Sequence, residues 1–148
     1  MMEMNLNVEE VNKKLLDPVK DNINIRVVVG LDFGTTYSGF TYCHVTEKQN
    51  LCSNDLWHGV VGQLKTNTVL QYDDEYKNVK LWGVPALAKR PTRRSRNQNN
   101  KDSKPVELFK LHLGDIMDKF KPTLPVEYKK AITDYLREMG KVQVRKLF

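Results

Sequence analysis

Apolar positions recur along this chain with two different periods, and the change from one to the other divides it. The run Ile25, Arg26, Val27, Val28, Val29, Gly30, Leu31 is β-branched and too short to prefer helix, so it predicts a strand. Gly34 to Ser38 interrupts it. From Gly39 to Val45, Phe40, Tyr42 and His44 fall on one face and Thr41, Cys43 and Val45 on the other, which predicts a second strand. Strand, Gly/Thr turn and strand make a hairpin. Thr68 to Tyr72 and Val79 to Trp82 flank Asp73, Asp74 and Glu75, two further strands joined by an acidic turn. The four strands are expected to form one antiparallel β-meander.

In the last third the period becomes helical. Val106, Phe109, Leu113, Ile116, Met117 and Phe120 are spaced by three or four despite Gly114, and Pro122 and Pro125 close that segment. Tyr128, Ile132, Tyr135, Leu136 and Met139 predict a better-defined helix, with Pro125 near its start and Gly140 just past its end. A shorter pattern, Val8, Val11 and Leu15, is stopped by Pro18. Strands followed by helices place the chain in the α/β class, and no internal repeat is visible.

A length of 148 residues suits one domain or a piece of a larger one, and 40% hydrophobic content supports a modest core. The net charge of +6 is concentrated in one place. Residues 89–104, with Lys89, Arg90, Arg93, Arg94 and Arg96, have no hydrophobic periodicity and read as a basic, solvated loop. Nucleic-acid binding would call for interleaved aromatics or a recognisable binding fold, and neither is seen, so it is not expected. No run of about 18 apolar residues occurs, and Met1 to Asn5 lacks a basic segment leading into an apolar one. A soluble, cytoplasmic protein without membrane contact is expected. Cys43 and Cys52 are read as free thiols, His44, His58 and His112 lack ligand spacing, and Trp57 and Trp82 are read as packing residues.

The segment from Leu31 to Gly39 concentrates the candidate chemistry at the first strand-to-turn junction. Gly34 has no Cβ, so a phosphate can approach its backbone, and the N–H groups of Thr35, Thr36 and Tyr37 can point into one anion-binding concavity. Asp32 beside a phosphate needs a cation between them. Mg²⁺, which bridges phosphate oxygens and is held by one or two carboxylates, fills that role, so Asp32 is assigned to the metal side. The loop is neither a Walker loop nor a Gly-x-Gly-x-x-Gly fingerprint.

The stretch VVVGLDFGTTYSGFTYCHV (27–45) resembles the first phosphate loop of the actin, sugar-kinase and seventy-kilodalton heat-shock superfamily, in the heat-shock form Asp-x-Gly-Thr-Thr-Tyr-Ser. KTNTVLQYDDEYKNVKLWGVPA (65–86) resembles that family's next strands. FKLHLG (109–114) and KKAITDYLREMG (129–140) resemble its divergent, twelve-type branch. The resemblance implies a partial ribonuclease-H-like, actin-like ATPase subdomain over residues 25–140, with 1–24 as an N-terminal tail or short helix and 141–148 as a C-terminal tail.

It further implies ATP or ADP and Mg²⁺ as ligands, with Asp32 on the metal and Gly34, Thr35, Thr36 and Tyr37 on the phosphates. Unfolded protein clients or co-chaperones would be the partners. The family's catalytic lysine is left open among Lys110, Lys119 and Lys121. The family's second phosphate loop and adenosine motif are not found, and after Gly140 its Val-Pro-Ala turn does not follow, so a truncated copy is expected. One loop supplies part of a phosphate cradle and no base pocket, so weak nucleotide affinity and no hydrolysis by the chain alone are expected. A Val-rich first strand left at a sheet edge would then allow self-association. The alternative reading is a non-enzymatic interaction protein that uses the basic loop or that edge.

Overall fold

The computed structural model of the chain describes residues 26–47, 49–88 and 104–147. It is a mixed α/β structure in which antiparallel strands precede a long helix. The short helix expected around Val8 to Leu15 and all of the basic loop except Lys104 lie outside the described residues.

Strands β1 (Val27–Phe33) and β2 (Tyr37–His44) form the expected hairpin, in unbroken register from Val27 opposite His44 to Phe33 opposite Ser38. The far side of β2 carries β3 (Cys52–Ser53) and β6 (Thr66–Asn67). Between those two lies a small separate hairpin of β4 (Leu56–Trp57) and β5 (Val60–Val61), turning at Gly59 with a φ of 79° that favours glycine.

The strands do not make one meander. β7 (Val69–Tyr72) leaves the first sheet and becomes the centre of a second, flanked by β8 (Val79–Trp82) and β9 (Val106–Glu107). Thr68 is where the path divides. Its N–H bonds to the Thr36 carbonyl at 2.8 Å, and its hydroxyl is turned into the first hairpin, so the residues on either side of it serve different sheets. The acidic connection between β7 and β8 is held by Asp73, whose carboxylate accepts from the Lys77 and Asn78 N–H groups and from the Asn78 amide.

After α1 (Val84–Ala88), residues 106–120 do not form the expected helix. Val106 and Glu107 pair with β7, Leu108 adopts a φ of 60°, and only two short 3₁₀ turns follow, Phe109–Leu113 and Asp118–Phe120. The periodicity misleads because the outer apolar positions are not buried: Leu113, Ile116, Met117 and Phe120 are exposed, while Val106 and Phe109 enter the core. Helix α2 (Tyr128–Leu147) forms as expected but runs through Gly140, so residues 141–147 are helix and not tail. Glycine costs a helix interior only about 1 kcal/mol relative to alanine, which a continuing apolar face with Val142 against the core can offset.

That face brings Ala131, Tyr135 and Met139 against Leu70, Tyr72, Val106 and Phe109 of the second sheet. An aromatic chain ties the layers together. The Phe40 ring lies 5.6 Å from Trp57, Trp57 lies 6.3 Å from Trp82, and Trp82 lies 5.7 Å from Tyr135, all edge to face. Both tryptophans therefore pack, as their sequence context predicts. Phe33, at the end of β1, joins the same layer 5.9 Å from Tyr135.

Candidate functional site

Residues 34–36 connect β1 to β2, and a network centred on Ser38 shapes that connection. The Gly34 N–H donates to Ser38 Oγ at 3.2 Å, Ser38 and Thr68 share a hydroxyl hydrogen bond of 2.7 Å, and Thr68 Oγ1 donates to the Gly34 carbonyl at 2.9 Å. Ser38 and Thr68 are buried, so this network fixes the loop from beneath.

Gly34 is required by the turn itself. A Cβ there would lie 2.1 Å from the Tyr37 carbonyl oxygen, because the chain folds back tightly across the loop. The glycine thus serves the loop's own backbone before it serves any ligand. With Gly34 committed downward, no acceptor among the described residues takes the N–H of Thr35 or of Thr36. Thr35 is half-buried, whereas Thr36 and Tyr37 are exposed. Two backbone donors at the tip of a fixed turn therefore remain open to an outside acceptor.

Asp32 stands one residue before Phe33 at the root of the loop, and its side chain is 59% exposed. Lys65 Nζ lies 2.6 Å from its Oδ2. The hydrogen bond and charge of Lys65 hold the Asp32 carboxyl below its usual range, with a smaller contribution from Lys110. Asp32 is therefore an anion at neutral pH. It also lines a shallow cleft of about 170 Å³ with Gly30, Thr41, Ser53, Leu64 and Lys65.

Of the three lysines left open by sequence, Lys110 is the one that reaches the loop. Its ammonium donates to the Phe33 carbonyl and lies 5.3 Å from the Phe33 ring centroid. The Lys119 ammonium instead lies 5.0 Å from the Phe120 ring, and Lys121 pairs with Asp118 at 3.0 Å. Lys110 reaches Phe33 because the 3₁₀ turn carrying it is seated by buried Phe109 against Phe33 and Tyr135.

The loop, Asp32, Lys65 and Lys110 make a surface with two cations, one carboxylate and two open N–H donors. Its balance suits an anionic ligand of phosphate type. The described residues contain no group of three His, Cys, Asp or Glu side chains able to hold a metal, and Asp32, the carboxylate at the root of the loop, is already paired with Lys65. Among the described residues the cleft beside Asp32 is smaller than the roughly 300 Å³ at which ligand sites begin. Lys65, Ser38 and Thr68 were not singled out by sequence. Their roles depend on partners 30 or more residues away, as with Ser38 and Thr68, and no local pattern signals that.

His112 stacks on Tyr128 at 5.3 Å, and a ring nitrogen lies 3.0 Å from the Pro122 carbonyl, so its contacts are structural. Cys43 and Cys52 are free thiols. No described helix is long and apolar enough to cross a membrane. Compared with family models, curated proteins and solved structures, the chain matches none.

Proposed function

We propose that the chain is an ATP-binding module of the heat-shock-70-like, actin-like kind, whose first phosphate loop holds the polyphosphate end of a nucleotide with Mg²⁺ and does not hydrolyse it unaided. The observation that carries this reading is the fixed β1–β2 turn, with open N–H groups at Thr35 and Thr36 and with Asp32 and the Lys110 ammonium at its root. In this reading Thr35, Thr36 and Tyr37 contact phosphate oxygens, Gly34 shapes the turn, and Asp32 holds the hydrated metal. Lys110 adds positive charge at the root of the loop. A cytoplasmic setting, and unfolded protein clients or co-chaperones as partners, accompany the family reading.

The small size of the cleft beside Asp32, about 170 Å³, favours weak binding. At a dissociation constant of about 1 mM, about 5 mM Mg-ATP stabilises the fold by roughly 1 kcal/mol, a measurable rise in melting temperature. Asp32→Asn is expected to abolish the Mg²⁺-dependent part of that rise while leaving the fold intact, since Asp32 is exposed. Substituting Gly34 would be uninformative here, because a Cβ there disrupts the turn directly. Equal stabilisation of wild type and Asp32→Asn, or none in either, would refute the reading.

A further inference from the structure

Among the described residues β1 pairs with β2 alone, so its other side is a sheet edge. The direction of its backbone groups follows from one hydrogen bond. The Val45 N–H donates to the Arg26 carbonyl at 3.1 Å, which makes Arg26 and Val45 a hydrogen-bonded pair. By alternation Val28, Gly30 and Asp32 also turn their backbone groups toward β2, and Val27, Val29, Leu31 and Phe33 turn theirs outward. The outward Phe33 carbonyl is taken by Lys110, which closes that end of the edge. Val27, Val29 and Leu31 remain as a short template.

We propose that this edge pairs with the same edge of a second copy of the chain, antiparallel and centred on Val29. The sequence of the strand selects that register. Residues whose numbers sum to 58 then face each other. Val29 meets the partner's Val29, Val27 meets the partner's Leu31, and about six main-chain hydrogen bonds form. On the outer face, Arg26 comes directly opposite the partner's Asp32, twice by symmetry. Lys65 occupies Asp32 Oδ2, and no described residue takes Oδ1, so a second cation can be received there.

Other registers lose this match. Centring on Gly30 sets Asp32 against the partner's Val28, and a parallel in-register pair sets Arg26 on Arg26 and Asp32 on Asp32. Exposed Val28, at 53%, and Leu31, at 44%, give apolar area to the pairing on both faces. The strand carries no proline and no lysine, two of the usual guards of a free edge. The main-chain pairing stands on the strand alone, and the two Arg26–Asp32 contacts form when Asp32 holds no metal.

Sedimentation of the full chain over a concentration series tests it, together with hydrogen exchange. The wild type is expected to be a monomer–dimer mixture in the micromolar range, with the amides of Val27, Val29 and Leu31 gaining protection as the dimer forms. Val29→Pro removes one outward donor while sparing the β1–β2 ladder, and it should yield a monomer that melts cooperatively. Arg26→Glu places like charges opposite Asp32 and should weaken the dimer by about tenfold or more. A wild type that stays monomeric overturns the proposal, including the case where Val29 is protected by another part of its own chain. A dimer that survives Val29→Pro also overturns it, and one insensitive to Arg26→Glu overturns the register.

Discussion

Asp134 shows how a single residue on α2 connects helix and sheet. Its carboxylate accepts from the Tyr72 hydroxyl at 2.9 Å, from Lys130 at 2.6 Å and from Arg137 at 2.5 Å. Burial alone would raise its pKa, but the hydrogen bonds from Lys130, Tyr72 and Arg137 outweigh that and hold it below the usual carboxylate range. A depressed carboxyl contributes stability that is complete above the unfolded value of about 4 and is lost as the pH falls through the folded one. Tyr72 and Tyr135 act at the other end. Burial raises both, with Asp134 adding to the effect on Tyr72, so their contribution is present below about pH 10 and fades above it. Melting temperature should therefore fall on both sides of a neutral plateau. Asp134→Asn should flatten the acid limb, and Tyr72→Phe the alkaline one. At pH 7 Asp134→Ala should cost about 1–3 kcal/mol in urea unfolding, because it removes the carboxylate that accepts from the Tyr72 hydroxyl and sits between two cations that solvent can partly screen.

Among the elements, α2 offers the sharpest distinction between sequence pattern and structure. Gly140 falls where a helix stop is expected, yet the helix continues to Leu147, and a Cβ on Gly140 would meet nothing within 4 Å. Gly140→Ala should consequently stabilise the protein by about 0.5–1 kcal/mol and raise its melting temperature by a few degrees. If the residue ended the helix in a left-handed conformation, the same substitution would destabilise it, so the sign of the change decides the matter. Residues 106–120 err in the opposite direction. Their period of three to four suggests helix, but Val106 pairs opposite Leu70 of β7, and that tertiary pairing overrides a weak local preference interrupted by Gly114.

At the scale of the whole molecule, Tyr135 is the contact through which α2, the β1 end and the second sheet meet. Its ring lies 5.9 Å from Phe33, 5.7 Å from Trp82 and 5.8 Å from Phe109, and its hydroxyl donates to the Asn67 carbonyl at 3.1 Å. Tyr135→Ala should cost about 3–5 kcal/mol, a large share of the 5–15 kcal/mol typical of a domain. Tyr135→Phe, which loses only the hydrogen bond, should cost about 1 kcal/mol. Trp57 and Trp82 fluorescence and far-ultraviolet circular dichroism should report one coincident transition in the wild type, since the aromatic chain joins both sheets to the helix. Separate transitions for the two signals would show that the layers unfold independently.

Strand and helix identity were readable wherever one face is buried over several residues, because burial imposes a period of two or 3.6 on side chains near in sequence. The β1–β2 hairpin, β7, β8 and the start of α2 are all of this kind, and the Gly/Thr turn with Asp32 at its root was legible for the same local reason. The division into two sheets at Thr68 was not readable, nor were the Ser38–Thr68 support, the Lys65 partner of Asp32, or the choice of Lys110 over Lys119 and Lys121. Each is a contact between residues far apart in the chain. Their energies depend on which surfaces are brought together, and only the folded arrangement decides that.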